Sequence, residues 1–186
     1  MFVRTENLLL RPSWPDDIDE LVDLLNDDAV RANLAVKPWP DTREAARLMI
    51  SRPREDRLPS LFIYIRSDEG MKLIGGIGFG RDGKDVELGY WIARSHWGHG
   101  YATEAVRAML DQAWMLGHER IIATHFADNV ESGKVLEKAG FEPTSETRMR
   151  FSYGRGGEAP AVTFVAMSPY RKARIEQPSV GQSPIA

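Results

Sequence analysis

Apolar positions along the chain repeat in two rhythms, and their order predicts a layered domain. Leu8 to Arg11 reads as a short first strand that Pro12 stops. Ile18, Leu21, Leu24 and Leu25 then fall at helical spacing, with Asp16 or Asp17 available as the cap. The chain must leave helix around Lys37-Pro38-Trp39-Pro40, after which Asp41 and Glu44 offer a capping box for a helix from Arg43 to Ser51. LFIYIR (61–66) and KLIGGIGFG (72–80) carry the β-branched and aromatic residues of strands. Asp82-Gly83 marks a turn before a strand from Val86 to Ile92.

The helical rhythm returns from Thr103 to Leu116, where Val106, Met109, Leu110 and Ala113 form one stripe and Gly117 suits the C-terminal cap. Arg120 to Phe126 reads as a strand, and Asp128 with Glu131 as a capping box for a helix ending near Ala139, before Gly140. Two last strands are expected near Phe141 to Arg150 and Ala161 to Met167. Hairpin-linked strands followed by strand–helix–strand–helix–strand imply an α/β domain. Its central sheet is mixed and mainly antiparallel, with helices on both faces. There is no internal repeat. A single domain over 1–168 is expected, followed by a disordered tail over 169–186.

Composition narrows the function. The 186 residues include 42% hydrophobic and 27% charged positions, the balance of one globular domain with a core of its own. Net charge is −3, which disfavours nucleic acid as a partner. The absence of cysteine excludes disulfides, thiolate metal sites and a cysteine nucleophile. Four histidines without metal-ligand spacing give no reason to expect a metal. MFVRTENLLLRP lacks the apolar centre of a signal peptide, and no apolar run approaches membrane-spanning length. A cytoplasmic protein with no membrane partner, monomeric or homodimeric, is the expectation.

The chemistry concentrates in VELGYWIARSHWGHGYATEAVRAMLDQAW, Val86 to Trp114. Gly98 and Gly100 flank His99 between a strand and a strong helix. Glycines let backbone N–H groups approach a ligand, and the first N–H groups of a helix are unpaired and electropositive. Phosphate or pyrophosphate suits such a turn. The GK[ST] ending of a P-loop is missing, and Thr103 stands where a dinucleotide fingerprint wants its third glycine. Asp128, at the end of the next strand, keeps a dehydrogenase-like reading open. An ordinary strand-to-helix turn is the plainer alternative.

The run ELGYWIARSHWGHGYATEA, followed by ADNVESGKVLEKAGF, closely resembles the GNAT superfamily of acyl-CoA-dependent N-acetyltransferases. Within it, the likeness is to the branch containing the ribosomal-protein N-terminal acetyltransferases. ENLLLRP and KLIGGIGF match the same branch, so the resemblance spans about residues 4 to 168. It implies the GNAT fold and acetyl-CoA as acyl donor. The family's pyrophosphate turn falls on Trp97, Gly98, His99, Gly100, Tyr101 and Ala102, with Thr103 next in the helix. Trp97 replaces the usual Gln or Arg, leaving the contact to backbone. The resemblance also implies that the fourth family strand splays from the fifth. Pantetheine then pairs like an added strand with Tyr90, Trp91, Ile92 and Ala93. Asn129 matches a position near the cofactor's arm, Ser132 a hydroxyl near the thioester sulfur, and Glu87 an acidic position on the fourth strand.

Each residue also has a plainer reading. Asn129 can simply cap a helix, Ser132 can be an exposed polar residue, and His125 can be packed or solvated. Glu87 is a base or a substrate anchor on one reading and a structural strand residue on the other. The set Asp16, Asp17, Asp19, Glu20, Asp23, Asp27 and Asp28 is either a solvated face or an attractor for basic substrates. Without cysteine, direct attack of an amine on the thioester is favoured over a covalent relay. A protein or peptide α-amine is the acceptor that the branch implies. A small-molecule amine such as an aminoglycoside or polyamine, and a non-catalytic acyl-CoA-binding module, are the alternatives.

Overall fold

The computed structural model describes residues 1–35, 40–52, 55–68 and 70–170. The expected break at Lys37-Pro38-Trp39 and the tail from residue 171 lie outside them. The strands are β1 (Val3–Arg4), β2 (Leu8–Arg11), β3 (Ser60–Ser67), β4 (Gly70–Asp82), β5 (Asp85–Ile92), β6 (Arg120–Phe126), β7 (Glu142–Ser152) and β8 (Gly157–Met167). The helices are α1 (Ile18–Leu25), α2 (Asp28–Arg31), α3 (Arg43–Ile50), α4 (Tyr101–Met115) and α5 (Val130–Ala139).

The eight strands form one sheet in the order β1-β2-β3-β4-β5-β6-β8-β7. Neighbours are antiparallel except β5 and β6, which run parallel because α4 carries the chain back between them. The sheet is therefore mixed and mainly antiparallel, as the sequence pattern implies.

Alternation along the strands sends apolar side chains to two cores. Leu88 and Ile92 on β5, with Ile121 and Ala123 on β6, meet Val106, Met109, Leu110 and Ala113 of α4 and Leu136 of α5. On the other face Phe62, Tyr64 and Leu73 meet Ile18, Leu21, Leu25 and Ala46 of α1 and α3. Gly76 has no room for a side chain, because a Cβ there would lie 2.6 Å from the Trp91 indole nitrogen.

The expected elements agree with the structure to within a residue or two, except that the last strand starts at Gly157 and not near Ala161. The N-cap of α3 is Thr42, not Asp41, its side chain accepting from the Ala45 N–H at 3.2 Å. The cap of α5 is Asn129, not Asp128. Asp128 instead takes both terminal nitrogens of Arg155 at 2.7 and 2.8 Å. Asp17 stands at the N-cap of α1 without a side-chain bond to its first turn; its buried carboxylate instead takes Arg11 and the Trp14 N–H. The pattern missed the two-residue β1, and α2, which Asp27 caps through the Ala29 and Val30 N–H groups. Gly117 and Gly140 end their helices at φ of 82° and 98°, as a glycine there allows.

Candidate active site

The glycine turn sits where the sequence puts it. Gly98 and Gly100 have φ of 78° and 82°, a region that side chains with a Cβ avoid. Gly100 stands at the N-cap of α4 and offers no side chain to its first turn. The N–H groups of Tyr101, Ala102 and Thr103 therefore point outward without intrahelical acceptors. A Cβ at Gly98 or Gly100 would meet no atom within 4 Å, so the space above this turn is open to a ligand. His99 is exposed and stacks on Tyr101, with ring centroids 5.6 Å apart and 9° between planes. The Trp97 indole N–H donates to the Ile92 carbonyl at 2.7 Å, which ties the turn to the end of β5.

Beside the turn, the sheet opens. β5 and β6 pair only at Glu87 with Ile122 and Leu88 with Ala123, then part. The Ala93 N–H donates to Ile74 on β4 at 2.7 Å. Because successive backbone groups alternate sides along a strand, those of Tyr90 and Ile92 face the gap left by β6. The Ile92 carbonyl is already held by Trp97; the remaining edge has the form of a strand waiting for a partner.

The same alternation divides the side chains of β5. Tyr90 lies on the α4–α5 face and Trp91 on the α1–α3 face. The Tyr90 hydroxyl crosses to the start of α5, where its oxygen lies 2.7 Å from Ser132 Oγ and 3.2 Å from the Ser132 carbonyl oxygen. Burial raises the phenol to about 12, although the Ser132 hydrogen bond pulls the other way. Asn129 Oδ1 accepts from the Ser132 N–H at 3.2 Å and so fixes this serine at the first turn of α5. Tyr90, Asn129 and Ser132 thus meet at one point, beside the place where β5 leaves β6.

Glu87 belongs to the other face and is not free. Both its oxygens are taken by Arg150 of β7, which bonds one of them at 3.1 Å. Arg148 pairs likewise with Asp82 at the β4–β5 hairpin. Since β6 and β8 lie between β7 and β5 in the sheet, these two ion pairs show that β7 curls over the α1–α3 face. Sequence reasoning missed both arginines, and no local signal could have revealed a contact that depends on sheet curvature. The β7–β8 turn closes the same side: Ser152 donates to the Leu34 carbonyl at 2.9 Å and Arg155 to that of Ala32 at 2.6 Å.

His125 takes its plainer reading. Its ring packs against Phe164 and Gly133, and Nδ1 lies 2.8 Å from the Phe126 carbonyl. The acidic set divides. Asp17 is buried, Asp19 pairs with Arg43, and Glu20 accepts from the Leu73 N–H while burial raises its carboxyl above the ordinary value. Asp23 and Asp27, with Leu24, Ala93, Arg94 and Ser95, line a cavity of about 520 Å³ beside the end of β5. Among the described residues no cluster of three or more His, Asp or Glu suits a metal. No helix among them is long and apolar enough to cross a membrane.

A glycine turn at a helix start, a parted strand pair and a hydroxyl beside the gap lie together here, and comparison with known proteins gives the family of the chain. Residues 7–142 match the family model described as Acetyltransferase (GNAT) domain, and the chain belongs to this family of acetyltransferases. An uncharacterized N-acetyltransferase, p20, of Bacillus licheniformis is 28% identical over 145 residues, covering 74% of this chain and 80% of that protein. The ribosomal-protein-serine acetyltransferase of Escherichia coli is 33% identical over 85 residues, 44% of this chain and 46% of that protein. The solved Mycobacterium smegmatis RimJ in complex with CoA-disulfide superposes with a TM-score of 0.74 at 20% identity, over 91% of this chain and 84% of that one. At that identity the likeness speaks for the fold.

Proposed function

We propose that this protein transfers the acetyl group of acetyl-CoA to a primary amine, and that the amine is the N-terminal α-amine of a protein or peptide. The observation that carries the reading is the gap where β5 leaves β6, with Ser132 beside its closed end and the glycine turn at its mouth. Pyrophosphate suits the N–H groups from Gly98 to Thr103, and the pantetheine arm suits the free edge from Tyr90 to Ala93. This seats the thioester near Ser132, with Asn129 holding the serine in place.

The amine nitrogen attacks the thioester carbon, and the carbonyl oxygen gains charge that a backbone N–H near Tyr90 can stabilise. Collapse breaks the carbon–sulfur bond, the sulfur leaves as thiolate, and Ser132 donates to it. The amine gives up a proton, through water, to Glu87 or to solvent. A lysine ammonium titrates near ~10.4 and an α-amine near ~8, so deprotonation at neutral pH costs roughly 4–5 against roughly 1 kcal/mol. An α-amine therefore reacts here without a strong base, which agrees with a Glu87 already engaged by Arg150.

Thermal shift with acetyl-CoA, CoA, NAD and NADP tests the donor. Stabilisation by the two CoA compounds is expected, and stabilisation by NAD alone overturns the reading. Tight acetyl-CoA binding without CoA release across a broad amine panel would leave only an acyl-CoA-binding module.

A further inference from the structure

The contact between Tyr90 and Ser132 joins residues from two separate elements, and it sets where the serine proton can point. The phenol has one proton and two acceptors in reach, Ser132 Oγ at 2.7 Å and the Ser132 carbonyl at 3.2 Å. Two arrangements satisfy the pair. In one, the phenol donates to the carbonyl and the serine donates to the phenolic oxygen, which turns the serine proton away from the gap. In the other, the phenol donates to Oγ and the serine proton is released to a third group. The carbonyl belongs to the first turn of α5 and already serves the helix, so the shorter contact to Oγ is the stronger use of the phenolic proton.

Charge developing on a leaving sulfur selects the second arrangement. Each hydrogen bond in a chain polarises the next, so a phenol donating to Oγ strengthens the serine as a donor. The relay stops short of full proton transfer. A free thiol titrates near ~8.5, far below an aliphatic alcohol, so a departing thiolate gains from a hydrogen bond and does not strip the serine. The buried phenol also holds its proton throughout the neutral range.

We propose that Tyr90 is a positioning residue for acyl transfer: its hydroxyl donates to Ser132 Oγ and thereby turns the serine proton toward the departing sulfur. The inference rests on the functional reading above, in which Ser132 faces the thioester. It assigns the Tyr90 side chain a task distinct from that of its backbone, which lines the pantetheine edge. It also gives a reason for a tyrosine at a β5 position whose side chain reaches α5.

The test is a double-mutant cycle of wild type, Tyr90→Phe, Ser132→Ala and the double variant. Single-turnover rates are measured with acetyl-CoA and a panel of peptides bearing free N-termini. Ser132→Ala is expected to slow acyl transfer by about 10- to 100-fold, the loss of a donor to a charged group. Tyr90→Phe keeps the ring and is expected to slow it by about fivefold, with the acetyl-CoA KM unchanged. In the Ser132→Ala background Tyr90→Phe should change nothing, because its path to the sulfur is already gone. Ser132→Thr, which retains the hydroxyl, should keep the sensitivity to Tyr90→Phe. Losses that add in the double variant, or a Tyr90→Phe enzyme at the wild-type rate beside a slow Ser132→Ala enzyme, overturn the proposal and leave the acetyltransferase reading standing. Wild-type protein inactive on every amine overturns the functional reading itself, and this inference with it.

Discussion

The Arg11–Asp17 pair fastens α1 to β2, and removing its carboxylate charge should cost the fold measurably. Arg11 Nη1 and Nη2 donate to the two Asp17 oxygens at 2.9 and 2.7 Å, and the Trp14 N–H adds a third bond at 2.6 Å. The guanidinium lies between the Trp14 and Tyr64 rings, 3.9 and 4.0 Å from their centroids. Side-chain exposure is only 11% for Arg11 and 6% for Asp17, so the arginine cannot turn to solvent once its partner is neutral. Breaking a buried pair from one side costs about 3–5 kcal/mol, and Asp17→Asn, which keeps one acceptor, belongs at the low end. At 2–4 °C per kcal/mol for a chain of this size, about 3 kcal/mol lowers Tm by roughly 6–12 °C.

The pH dependence has a definite sign. Burial alone would raise the Asp17 carboxyl, but the Arg11 and backbone hydrogen bonds hold it below its ordinary value. Its contribution is therefore full above the ordinary carboxylate range and fades as pH falls through the depressed folded value. Thermal unfolding followed by circular dichroism from pH 8 down to pH 3 gives both quantities. Wild type and Asp17→Asn should differ most at neutral pH and converge in acid. A neutral-pH difference under about 1 kcal/mol would show that the pair is only a surface-like contact, contrary to its burial.

Three further outcomes follow from the site. Gly100→Val should remove acetyl-CoA binding in calorimetry while the protein stays folded, because a β-branched side chain at φ of 82° is strained and fills the open space over the turn; unchanged affinity in a folded variant contradicts it. Glu87→Gln should lower kcat/KM for the amine and leave acetyl-CoA affinity unaltered, while thermal unfolding reports the separate cost of leaving Arg150 unpaired; a weakened acetyl-CoA affinity would move Glu87 to the donor side. Reversing the exposed Asp16, Asp19 and Asp23 to Lys should raise KM for basic peptides more than for neutral ones, an effect that fades as salt shortens the Debye length below ~10 Å; equal KM at both salt levels removes the steering idea.

The parts of the site carried by contiguous residues were legible in the sequence. Gly98 and Gly100, the α4 stripe and Gly140 after α5 each depend on near neighbours, so local chemistry fixes them. Caps slipped by one residue because Asp41 and Thr42, or Asp128 and Asn129, offer the same oxygen to the same helix start. What could not be read joins distant elements. The Tyr90–Ser132 bond spans 42 positions. The Arg150–Glu87 pair spans 63 and exists only because β7 curls across the sheet. For His125 the plainer sequence reading holds, but its cause was not legible: the ring packs beside the buried Gly133, where a Cβ would lie only 3.0 Å from Nε2.

Acceptor choice separates an α-amine acetyltransferase from every alternative, and one paired assay measures it. Peptides of a single sequence containing an internal lysine are offered with acetyl-CoA in two forms, one with a free N-terminus and one blocked there, and the products are located by mass spectrometry. The account predicts acetylation at the free α-amine and none on the blocked form, because the lysine ammonium costs roughly 3 kcal/mol more to deprotonate. Acetylation of lysine in both forms, or turnover of small amines with neither peptide modified, would contradict it.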